Sequence, residues 1–135
     1  MRRHHTWTTT IALLGAMVVA LASCGQDKPA VCAQADELKA SVQHLRDVTV
    51  SENGIDALTS ALRQVKTELE QLGTEAKSEF QPEIDGGKAS VDQLSSSLSA
   101  AKADPSATSL GSVGTALRSL DAAVRTLQDA VAGTC

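Results

Sequence analysis

The sequence predicts an all-α fold, an up-down-up-down four-helix bundle closed by a disulfide that joins its two ends. Three observations predict it. Apolar residues recur at three-and-four spacing along four successive stretches, and no segment sustains the period-two alternation of a strand. A cysteine flanks the helical region on each side, Cys32 and Cys135. Ala, Leu, Ser and Val dominate the composition, and Ala and Leu are strong helix formers. A second arrangement of the same elements joins the second and third helices into one long kinked helix, with the first and fourth folded back on it end to end.

The first helix is expected from about Ala33 to Val50, with Val31, Ala35, Leu38, Val42, Leu45 and Val48 in phase. Asp36 and Glu37 are placed in its first turn, where the helix dipole favours negative charge. Ser51-Glu52-Asn53-Gly54 reads as a turn, since Asn and Gly tolerate positive φ. The second helix carries a strict heptad of Ile55, Leu58, Leu62, Val65, Leu69, Leu72 and Ala76, with Phe80 one step out of phase. Pro82 interrupts any continuing helix because it lacks an N–H and clashes with the preceding turn.

Gly86-Gly87 follows as a flexible pair, with Gly87 a candidate for close helix contact. The third helix turns Ile84, Val91, Leu94, Leu98 and Ala101 inward and carries a serine-rich outer face (Ser95, Ser96, Ser97, Ser99). Residues 102–109 (KADPSATS) form the clearest break, with Asp104-Pro105 marking a turn or helix start. The fourth helix has the longest stripe: Leu110, Val113, Leu117, Leu120, Val124, Leu127 and Val131, bordered by Ala116, Ala123 and Ala130. Gly133 is expected to end it in the left-handed conformation.

Ahead of these helices, Met1-Arg2-Arg3-His4-His5 is a short basic start, and residues 11–22 are apolar or small and uncharged. That run is shorter than the roughly 20 residues a membrane-spanning helix needs. A charged start, a short apolar core and small residues before a cut site read as a secretory signal peptide. Leu21-Ala22-Ser23-Cys24 resembles the bacterial lipobox. The resemblance implies diacylglyceryl transfer to the Cys24 thiol and cleavage after Ser23. Arg2-Arg3 lacks the apolar residues that follow a twin-arginine pair, so general secretion is the expected route. The expected organisation is a signal peptide over 1–23, a lipidated tether over 24–31 and a bundle over 32–135.

Removing residues 1–23 leaves 112 residues, with 10 Lys+Arg against 16 Asp+Glu and a net charge of −6. An acidic, evenly mixed surface argues against nucleic acid and against a basic membrane-surface helix. Phe80 is then the one aromatic residue, Trp7 having left with the signal and Tyr being absent. Base stacking and aromatic-lined pockets are therefore not expected.

With Cys24 assigned to lipid, Cys32 and Cys135 remain. Outside the membrane such a pair is expected as a disulfide; a metal site is the rival, with His44 the single histidine of the mature chain. Helix parity supports the bridge. A 26-residue helix separates its ends by about 39 Å, whereas a disulfide requires Cα atoms about 4.4–6.8 Å apart. Three similar helices would leave the cysteines at opposite ends; four return the chain to its start. The long-kinked-helix arrangement also closes the bridge.

Little catalytic chemistry is readable. His44 and Asp47, at i and i+3, could pair, but no nucleophile can be placed beside them. Glu68, Glu75 and Glu79 overlap on one helix, yet a di-iron bundle needs Glu-x-x-His motifs that the sequence lacks. These acids are expected on a solvated face. No phosphate loop, zinc spacing or nucleophile elbow occurs, and Gly111 with Gly114 is expected to allow close helix packing.

The cysteine-bracketed, Ala/Ser-rich helical chain is similar to small helical actinobacterial lipoproteins of unknown function. The expectation is a non-enzymatic, cofactor-free lipoprotein on the extracytoplasmic face of the cell membrane. It would be anchored through Cys24 and engage an envelope protein partner. The alternative is a module holding an apolar ligand between its helices. A buried apolar cavity of about 300 Å³ or more would favour the ligand, and a solid core with one exposed apolar stripe would favour the partner.

Overall fold

The computed structural model describes residues 29–48 and 50–135. The chain forms α1 (Ala30–Asp47), α2 (Val50–Glu75), a single 3-10 turn (Ser78–Phe80), α3 (Gln81–Ala103) and α4 (Ala107–Ala132). No strand occurs among the described residues.

Helix α1 starts earlier than its pattern suggested. Pro29, with φ −52° and ψ 143°, stands as the N-cap, and its fixed φ and extended ψ launch the helix directly at Ala30. Val31, assigned to the tether and two residues ahead of the expected helix start at Ala33, is thereby buried inside the first turn. Asp36 and Glu37 fall in the second turn rather than the first, which holds no acid. The helix ends at Asp47, before Val48, whose extended backbone donates its N–H to the His44 carbonyl.

Gly54 takes φ 71° and ψ 177°, a region essentially reserved for glycine. The chain pivots there, and the long apolar stripe of α2 follows. Leu58, Leu62, Val65, Leu69 and Leu72 are buried, while Ile55 and Ala76 pack on the edge of the core. Phe80, out of phase with the heptad, is buried from the 3-10 turn. Pro82 sits in the first turn of α3, where its missing N–H costs no hydrogen bond. Gly86 and Gly87 accordingly lie within α3, not in a flexible joint before it.

Register shows the direction of each helix. Gln34 and Ser41 of α1 reach Glu75 and Glu68 of α2, so numbers rise on one and fall on the other. Leu69 meets Gly87, and Asp56 meets Lys102, across α2 and α3. Pro82 and Gly86 share a groove with Thr126 and Ala123 across α3 and α4. Cys32 and Arg46 of α1 pair with Cys135 and Asp121 at the end and in the middle of α4's course. Each neighbouring pair is antiparallel, α1 closes against α4, and the order is up-down-up-down. The arrangement with one long kinked helix is excluded, because α2 and α3 lie side by side.

All four stripes meet in one core, with Leu38, Leu45, Leu69, Leu72, Ile84, Leu94, Leu120 and Leu127 at most 1% exposed. In α4 Val113, Leu120, Val124, Leu127 and Val131 are buried as expected, and the stripe departs from expectation near the start of the helix. Ala116 is fully buried and Leu117 only partly, while Leu110 is 39% exposed. The bordering Ala116 is therefore more deeply buried than the leucine after it. Gly133 ends α4 in a right-handed conformation, φ −66° and ψ −19°, not a left-handed one.

Candidate functional site

Cys24, the expected lipidation site, lies outside the described residues. The other two cysteines are brought together: Cys32 in the first turn of α1 and Cys135 just past α4 form a disulfide, with Cα atoms 5.8 Å apart. Cys32 is buried among core residues, and the chain end is turned toward it by the Thr134 and Cys135 amides, both donating to the Val131 carbonyl.

His44 and Asp47 are both exposed at the far end of α1, and no hydrogen bond joins them. The three glutamates diverge. Glu68 is half-buried at the α1–α2 seam, where Oε1 accepts from Ser41 Oγ at 2.7 Å and Gln64 Nε2 at 3.1 Å. Glu75 accepts from Gln34 Nε2 at 2.5 Å on the same seam. Glu79 is exposed. Glu75 and Glu79 are thus exposed to solvent as expected, while Glu68 and Glu75 also bond α1 across the seam. Gly111 and Gly114 also depart from expectation: a Cβ at either would meet nothing within 4 Å. Gly87 is the close contact, since a Cβ there would stand 3.0 Å from Leu69 Cδ2.

The sequence reading missed the polar ties between α1 and α4. Asp121 receives Arg46 at 3.4 Å and Arg125 at 2.8 Å. The Asp121–Arg125 spacing is visible in sequence; its partner on α1 depends on register across 75 positions. At the opposite seam Lys102 bonds Asp56 at 2.6 Å. That hydrogen bond, together with the ammonium charge, holds the Asp56 carboxyl below its ordinary range.

Hollows between helices are surface grooves. One of about 320 Å³ between α1 and α4 is walled by Lys39, Arg46, Asp121 and Arg125. Another of about 440 Å³ lies at the α1–α2 seam beside His44, Ser60 and Gln64. These reach the size of a ligand site, but their rims are charged or polar and they open to solvent. Among the described residues no group of acids, histidines or cysteines is arranged to hold a metal ion, and no helix is long and apolar enough to cross a membrane.

Fold and site together define a disulfide-closed, antiparallel four-helix bundle with an apolar core and polar seams. No protein-family model matches the chain, and neither a curated protein nor a solved structure matches it.

Proposed function

We propose that this chain is a lipoprotein anchored through Cys24 to the extracytoplasmic face of the cell membrane, where its bundle acts as a non-catalytic interaction or envelope protein. The observation that carries this reading is the division of the three cysteines. Two are committed to a disulfide, a bond characteristic of oxidising compartments. The third follows a short uncharged apolar run and Leu21-Ala22-Ser23. A thiol in that position suits lipid attachment, and α1 begins six residues later, so the linker reaches at most ~20–22 Å.

The partner reading is preferred over the apolar ligand because the hollows between helices open to solvent and the α1–α4 groove carries a charged rim; no exposed apolar stripe marks the partner's face among the described residues, where Leu110 is the exposed large hydrophobic. Interaction would then use exposed helix faces. Metabolic labelling with a fatty-acid analogue tests the anchor: the wild type should incorporate label and Cys24→Ser should not. Equal labelling of both defeats the proposal.

A further inference from the structure

We propose that Cys135 is the sulfur at which the bundle's bridge exchanges with an outside thiol or disulfide, with Cys32 as the thiol that closes it. This assignment goes beyond the anchor and does not depend on lipid at Cys24. The two ends of the bridge stand in different surroundings. Cys32 is 4% exposed, sits in the first turn of α1 and belongs to the continuous apolar core with Val31 and Ala35. Its amide donates to the Pro29 carbonyl at 2.9 Å, so the start of the helix fixes its backbone. Cys135 is exposed and stands past the end of α4, held by the hydrogen bond from its amide to the Val131 carbonyl at 3.1 Å.

Disulfide exchange is a displacement at one sulfur, and access decides which sulfur is attacked. A thiolate reaching Cys32 would have to enter the core, whereas Cys135 is met at an exposed end of the bundle. The helix termini act in the same sense. Negative charge is favoured at the start of a helix and not at its end, so Cys32 is the better leaving thiolate, and a better leaving group departs faster. Burial of Cys32 works against that charge, so access remains the deciding difference. The incoming thiolate bonds to Cys135 Sγ, the Sγ–Sγ bond breaks, and its electron pair leaves with Cys32, which takes a proton from water. Closure runs backwards along the same path: the Cys32 thiolate attacks Cys135 Sγ and expels the outside thiolate. When both cysteines start as thiols, a disulfide oxidant supplies the bond. Cys135 attacks it and releases one thiolate, then Cys32 releases the other, leaving the oxidant as two thiols. In both directions the mixed disulfide sits on Cys135.

Glutathione is the probe, applied to the purified, oxidised full chain carrying Cys24→Ser, which removes the third thiol. Circular dichroism first shows native helicity. Samples taken at the earliest times are quenched in acid, digested and mapped by mass spectrometry. Glutathione should be found several-fold more on Cys135 than on Cys32. An adduct shared equally, an adduct mainly on Cys32, or no adduct on either overturns the proposal. In a second arm, Cys32→Ser and Cys135→Ser are each made in the same chain and treated with glutathione disulfide. The Cys135 thiol should be modified several-fold faster than the Cys32 thiol in buffer, and the two rates should converge in urea above the unfolding midpoint. Equal rates in folded chains overturn the assignment; where a single variant does not fold, the first arm decides.

Discussion

Three glycines separate the roles a missing side chain can play. Gly54 holds φ 71° and ψ 177° with open space around it, so an alanine there is strained by backbone alone, at roughly 1–3 kcal/mol. Gly86 is exposed, helical and unobstructed; alanine should stabilise by about 0.5–1 kcal/mol through helix propensity. Gly87, its neighbour, faces Leu69 at 3.0 Å from a virtual Cβ, and Leu69 is fully buried. Overpacking there costs roughly 1–3 kcal/mol and outweighs the propensity gain. Urea denaturation should rank Gly86→Ala above wild type, with Gly87→Ala and Gly54→Ala below it. A Gly87→Ala midpoint equal to that of Gly86→Ala would show that Leu69 yields freely.

At the scale of the element, α4 is the helix with a built start. Ser106 accepts the Ser109 N–H at 3.2 Å, and Ser109 Oγ accepts the Ser106 N–H at 3.0 Å. This reciprocal box gives the Ser109 amide its partner and a second one to the Ser106 amide, which also donates to the Asp104 carbonyl at 2.8 Å. Ser109 Oγ also donates to the Asp104 carbonyl at 2.6 Å, fastening the α3–α4 turn to the helix it precedes. Neither α1 nor α3 has a side-chain cap; a proline in or just before the first turn serves there instead. Ser106→Ala should lower stability by about 0.5–2 kcal/mol, whereas Ser96→Ala, on the exposed face of α3, should change it little. Equal midpoints for the two variants would deny the box its role.

For the whole molecule, the disulfide ties the first turn of α1 to the end of the chain across 103 positions. In the chain-entropy account a loop of that length contributes up to about 4.7 kcal/mol, large beside a typical ~5–15 kcal/mol total. The double variant Cys32→Ser/Cys135→Ser should therefore unfold at a markedly lower urea concentration than the oxidised wild type and match the reduced wild type. Indifference of the wild type to reductant would show that the four stripes hold the bundle unaided. The polar seams set relative placement more than strength, since exposed pairs such as Lys102–Asp56 contribute little.

The sequence by itself determined the helical class, the four stripes and the parity that lets Cys32 reach Cys135. Those depend on local periodicity and on how far a helix carries the chain. It also marked Gly54 as able to take positive φ, within a turn expected over 51–54 that the structure instead builds into the start of α2, and Gly87 as a close contact. Only the tertiary structure decided that Ala116 lies deeper than Leu117, that Leu110 stands exposed, and that Glu68 and Glu75 serve the α1–α2 seam. A stripe fixes a helix face to within one side chain, but its neighbours fix the rotation, and those neighbours lie tens of positions away. The same limit explains why Asp121 could be paired with Arg125 by spacing while its second partner, Arg46, waited on the register of α1 against α4.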